Sequence, residues 1–184
     1  MVYYYLFVWA DDTYICTQSI KNSQKPIDFQ GPIAFIDFYH EIKSNLIEEI
    51  NQNSGDFFLF EGPSMQGKST FAISLYNDLL KKSKDTPYYI KSNSQKILPL
   101  YISLDSEEPK NIFKELNKCS WSNFLSIVKE LKPQYDKIIF IIDNFQLFFK
   151  TKQTDILSIF RNMKDNKVDF IFISSANSIL KEFR

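Results

Sequence analysis

Residues 57–70 read FFLFEGPSMQGKST, and this stretch decides the fold. Phe57 to Phe60 form a short, continuous apolar run of the kind expected of a strand buried on both faces. Gly62-Pro63-Ser64-Met65-Gln66-Gly67-Lys68-Ser69 then matches G-x-x-x-x-G-K-[ST], and Phe71, Leu75 and Leu79 follow at helical spacing. A strand, a glycine turn and a helix, in that order, are the context in which this pattern holds phosphate. Successive backbone N–H groups must converge on one anion, and glycine allows that approach because no Cβ stands in the way. Gly62 and Gly67 are half of the 4 glycines in the chain. The pattern assigns Lys68 to the β- and γ-phosphates, the Ser69 hydroxyl to Mg²⁺ and the positive end of the helix to the anion. Pro63, Ser64, Met65, Gln66 and Thr70 complete the candidate cradle.

Downstream, strand-like and helix-like segments alternate. Ile97 to Leu104 reads as a strand whose Pro99 favours an edge position, since proline cannot donate to the ladder. Trp121, Phe124, Leu125, Val128 and Leu131 mark a helix stopped by Pro133, and Ile138 to Ile142 (IIFII) is a third strand. Ile156, Leu157, Ile159, Phe160 and Met163 mark a further helix, and Val168 to Ile173 a fourth strand. Upstream, Phe35, Tyr39, Ile42, Leu46 and Ile50 give one amphipathic helix, stopped at Asn51 to Asp56. The alternation predicts an α/β fold with a mainly parallel sheet covered by helices on both faces. The Lys81-Lys82-Lys84 cluster reads as charge complementing a helix C-terminus.

Asp143 ends the third strand, where an acid sits at the C-terminal edge of the sheet and can face a metal held by the phosphate loop. Asn144 follows it, and an amide cannot take the proton of an attacking water. Asp105, just after the second strand, is a candidate base, with Glu107 a lesser one. Ser174, Ser175 and Asn177, at the end of the fourth strand, are candidates to sense a γ-phosphate. The only arginines are Arg161 and Arg184, and neither is placed as an arginine finger. Asn166-Lys167-Val168-Asp169 spells NKxD, but it precedes a strand where a guanine-reading motif follows one, and Asp143-Asn144-Phe145-Gln146 lacks the glycine of DxxG.

The loop, the IIFIID strand and the FIFISS strand together resemble the AAA+/STAND branch of P-loop ATPases, over residues 35–184. The resemblance implies a three-layer α/β/α P-loop fold of the ASCE class, sheet order 5-1-4-3-2, with Asp143 as the Walker B acid and ATP with Mg²⁺ as cofactors. More narrowly, EGPSMQGKS and ISSANSILKEFR are similar to the NTPase module of crinkler effectors and retrotransposon hot spot proteins, with Ala176 where that pattern carries proline. This implies a nucleotide-regulated module with weak or partner-dependent hydrolysis. The chain stops at Arg184 without a fifth strand or a lid, which reads as a C-terminal truncation and leaves an edge for a protein partner or a second copy. An interaction module with a vestigial site is the alternative. A small-molecule or nucleotide kinase is a further one, disfavoured by the scarcity of arginine.

Composition sets the outer limits. The chain has 184 residues, 22 Lys+Arg against 22 Asp+Glu and a formal net charge of zero, so it lacks the basic surplus of a nucleic-acid or lipid-surface binder. Cys16 and Cys119 have no zinc or disulfide spacing, which fits a reducing, intracellular compartment. Val2 to Ala10 is apolar but lacks a basic flank and the length of a membrane span, and with Thr13 to Ser19 it reads as a β-hairpin about Asp11-Asp12. Pro26, Gly31 and Pro32 then mark a linker, dividing the chain into a hairpin and linker at 1–32 and the P-loop domain at 33–184. His40 has no triad partner, and Phe145, Phe148 and Phe149 read as packing beneath the Walker B loop.

Overall fold

The computed structural model describes residues 25–28, 39–52, 55–80, 96–104, 124–147, 166 and 168–175. Four strands make one sheet: β1 (Phe57–Glu61), β2 (Ile97–Ser103), β3 (Lys137–Asp143) and β4 (Val168–Ser174). All neighbours run parallel in the order β1-β4-β3-β2. The helices among the described residues are α1 (His40–Gln52), α2 (Lys68–Leu80) and α3 (Phe124–Leu131), which leads into a 3₁₀ turn at Lys132–Gln134. The N-terminal hairpin, the helix at 156–163, the Lys81-Lys82-Lys84 cluster, Phe148 and Phe149 lie outside the described residues.

β3 and β4 are buried along their whole length, and their alternating side chains feed two separate cores. On one face Ile138, Phe140, Ile142, Phe170 and Phe172 pack with Ile127, Val128 and Leu131 of α3. On the other Ile139, Ile141, Ile171 and Ile173 pack with Ile47 and Ile50 of α1 and Phe71, Ala72 and Leu75 of α2. Helix, sheet and helix therefore form the three layers expected of the sequence. Pro99 lies in β2, an outer strand of the described sheet, where its missing N–H costs no ladder bond with a further strand.

Two expectations are corrected. β1 is not buried on both faces: it is the other outer strand of the described sheet, its residues are only half-buried, and Phe57 is 39% exposed. In α1 the buried stripe runs through Tyr39, Lys43, Ile47 and Ile50, while Ile42 is 44% exposed. The helix is turned so that Lys43 enters the interface with α2, where its ammonium meets the Asp78 carboxylate at 2.5 Å and donates to Ser74 Oγ at 2.9 Å. A buried lysine is tolerated because it is paired on arrival.

The segment before α1 is anchored to α2 as well. Asn77 accepts from the Ile27 amide through Oδ1 at 2.9 Å and donates to the Ile27 carbonyl through Nδ2 at 2.8 Å, treating that residue as a sheet neighbour would. Tyr76 donates to the Lys25 carbonyl at 3.3 Å.

Candidate functional site

In a parallel sheet all strands end at one edge, and there β1 passes into the glycine loop. Gly62 donates its amide to the Ser174 carbonyl at 3.3 Å, keeping the start of the loop in register with the end of β4. A Cβ on Gly62 would stand 3.3 Å from Gln66 Oε1, a tight approach across the loop. Met65 and Gly67 take positive φ of 63° and 75°, which turns the chain into α2. Gly67 accommodates this freely, whereas Met65 carries a side chain into the left-handed region. The first helical bond, from the Phe71 amide to the Gly67 carbonyl at 2.9 Å, starts α2 directly beneath the loop. Tyr39 braces the loop from α1 by donating its hydroxyl to the Gln66 carbonyl at 2.5 Å.

Lys68 is buried, and its ammonium donates to the Pro63 carbonyl across the loop. Burial pushes that ammonium below its ordinary lysine value, and the charge of Asp143 acts in the opposite sense. Ser69 is exposed at the first turn of α2, Thr70 is half-buried beside it, and Pro63, Ser64, Met65 and Gln66 form the exposed rim.

Asp143 closes β3 at 2% exposure. Its Oδ1 accepts the Asn144 amide at 2.8 Å and its Oδ2 accepts the Tyr101 hydroxyl at 2.9 Å. Asn144 reaches that geometry through a left-handed φ of 56°, and its side-chain amide approaches Ser103 Oγ at 3.4 Å. Burial raises the Tyr101 phenol well above the usual tyrosine range, and the Asp143 charge and hydrogen bond add to this against a smaller lowering from Ser103. The phenol therefore remains a proton donor.

Ser174 is buried opposite Glu61 in the β1–β4 register, and Ser175 follows with its amide donated to Gln146 Oε1 at 3.1 Å. Glu61 Oε1 is buried and has no hydrogen-bond partner. Asp105, Glu107, Asn177, Arg161 and Arg184 lie outside the described residues. Lys68 and Ser69 stand at the start of α2, directly after the loop, and Asp143, Ser174 and Ser175 stand at the ends of β3 and β4 on the same edge of the sheet. The sequence did not single out Tyr101, Tyr39 or Gln146 for the site: Tyr101 was read only as part of the strand Ile97 to Leu104, Tyr39 only as part of a helical apolar stripe, and Gln146 only as part of a stretch without the glycine of DxxG.

Two motif residues resolve into structural roles. Asp169 of the NKxD stretch is fully buried and accepts the Gly55 and Asp56 amides at 2.7 and 3.1 Å, at the edge of the sheet where β1 begins, away from the loop. Phe145 is buried and stacks on Phe172 at 4.1 Å, so it is the packing residue that its place just after β3 suggested.

No family model and no curated protein matches the chain. Solved structures do match. The Aeropyrum pernix ORC2 protein, solved in ADPNP-ADP complexes, superposes with a TM-score of 0.57 at 12% identity, over 88% of this chain and 46% of that one. Drosophila ORC bound to DNA superposes with a TM-score of 0.52 at 12% identity, over 94% of this chain and 45% of that one. The chain spans less than half the length of either protein. At this level of identity the likeness speaks for the fold alone: the chain has a three-layer α/β/α P-loop fold.

Proposed function

We propose that the chain binds ATP together with Mg²⁺ at the loop of residues 62–70. The observation that carries this reading is a buried Lys68 whose ammonium donates back to the Pro63 carbonyl across a glycine turn that opens directly into α2, with the buried Asp143 closing β3 at the same end of the sheet. The backbone amides at the start of α2 supply oriented donors to phosphate, and Lys68 supplies the balancing charge. Ser69 and Asp143 offer hard oxygen donors, which suits Mg²⁺. No cluster of three His, Cys, Asp or Glu side chains occurs among the described residues, and Mg²⁺ characteristically takes one or two carboxylates and the substrate's phosphates in place of an all-protein cage. The metal's chemistry there is neutralisation of charge on the phosphates. The ADPNP-ADP complexes of the Aeropyrum pernix ORC2 protein support a nucleotide as the ligand.

Hydrolysis is weak or depends on a partner, because the residue after Asp143 is Asn144, an amide that cannot serve as base. Ser174 and Ser175, at the end of β4, are the residues proposed to sense the γ-phosphate. The reading as a regulatory module akin to crinkler effectors is supported by the EGPSMQGKS and ISSANSILKEFR motifs, and an intracellular location by the lack of disulfide or zinc spacing at Cys16 and Cys119. No helix among the described residues is long and apolar enough to cross a membrane. Calorimetric titration of Mg·ATP into the parent and into Lys68→Ala tests the assignment: binding is expected for the parent and lost in the variant with the fold retained. Equal affinity in both would overturn it.

A further inference from the structure

We propose that Tyr101 is a positioning residue that fixes the plane of the Asp143 carboxylate for the metal ion of the nucleotide site, an inference that rests on the function proposed above. A carboxylate at a strand end turns freely about its last torsion, which has no sharp minima. Asp143 is held at both oxygens, by the Asn144 amide on Oδ1 at 2.8 Å and the Tyr101 hydroxyl on Oδ2 at 2.9 Å. The two donors come from different sources, one from the backbone turn after β3 and one from the neighbouring strand.

The Tyr101 hydroxyl is itself placed by three elements. Its backbone lies in β2 opposite Ile141 of β3, and its ring packs at 6.0 Å from Tyr76 of α2, the helix that grows out of the phosphate loop. An ionised carboxylate accepts about four hydrogen bonds, so one bond to each oxygen leaves lone pairs for a cation or its water. A tyrosine serving only the core would find any buried acceptor sufficient. This one spends its hydroxyl on the single acid at the loop's end of β3.

Tyr101→Phe removes the hydroxyl and keeps the ring. Loss of an outer partner of this type costs on the order of 10–100-fold in metal affinity. ATP affinity is measured calorimetrically in EDTA and then along a Mg²⁺ titration, for the parent and the variant, with thermal unfolding in EDTA as a control. The expected result is a half-saturating Mg²⁺ concentration raised about 10–100-fold with ATP affinity in EDTA unchanged. An unaltered Mg²⁺ requirement overturns the proposal while leaving the nucleotide site intact. A parent that binds no ATP under either condition overturns the proposed function, and this inference with it. A parent that binds ATP with no Mg²⁺ dependence overturns the metal assignment alone and, again, this inference.

A second measurement is independent of the variant's folding. With 3-fluorotyrosine at position 101, the ¹⁹F resonance is expected to move when Mg²⁺ joins the ATP complex and to stay in place with ATP in EDTA. A resonance indifferent to Mg²⁺ overturns the proposal.

Discussion

Met65 holds a left-handed backbone, φ 63°, with a side chain 98% exposed, so no packing repays the strain of placing a Cβ there. The left-handed conformation costs a non-glycine residue about 1–2 kcal/mol, whereas glycine's extra freedom in the unfolded chain costs roughly 0.5–1 kcal/mol. Met65→Gly is therefore expected to stabilise the fold by about 0.5 kcal/mol, read as a rise in the urea midpoint at constant slope. Asn144 shares the left-handed geometry at φ 56° but is a residue that tolerates it, and the turn brings its amide onto the Asp143 carboxylate. The sequence disclosed what the Asn144 side chain cannot do as a base. The work of its backbone was not legible, because φ is set by the turn that the strand end must make.

At the scale of elements, β4 and β3 are bound by more than their ladder. Asp169 on β4 and Lys137 on β3 are both buried, with their charged atoms 3.6 Å apart, and Asp169 also caps the turn into β1. Burial raises the Asp169 carboxyl above the ordinary aspartate value, opposed by the Asp56 amide, the Lys137 charge and the Gly55 amide. Lys137→Met strips the cation from this carboxylate and is expected to cost about 3 kcal/mol at neutral pH. In the variant the folded carboxyl holds its proton to still higher pH. Its stability is then fully present below the unfolded value near 4 and is lost as the pH rises through the folded one. The deficit against the parent should accordingly shrink on acidification from pH 7 towards 5, as urea unfolding at a series of pH values would register. β3 and β4 were readable because strands buried on both faces carry near-continuous apolar runs, here Ile138 to Ile142 and Phe170 to Ile173. β1 carries the same kind of run, and its place at the outside of the described sheet agrees with the order 5-1-4-3-2 less its fifth strand; its half-burial was not legible, because an apolar run does not state what covers its faces. The rotation of α1 towards Lys43 escaped the apolar pattern for the same reason: Asp78 lies 35 residues away.

Across the whole molecule, the alternating segments and the glycine loop were enough to reach the three-layer architecture, and Pro99 was enough to place β2 at the outside of the described sheet. The supporting contacts of the site were not reachable in that way, since Tyr101 and Tyr39 meet their partners only after strands and helices have been assembled. The Asn77 clamp joins this assembly to the stretch ahead of α1, and it has a consequence for solvent exchange. Ile27 belongs to no helix or strand, yet its amide proton is committed to Asn77 Oδ1. It should therefore exchange with deuterium far more slowly than its irregular surroundings suggest, at a rate set by how often α2 lets go of it. Asn77→Ala is expected to bring that one amide close to the unprotected rate while the amides within β3 and β4 keep their protection. Hydrogen exchange followed residue by residue would thus use Ile27 as a clock for the helix that follows the glycine loop.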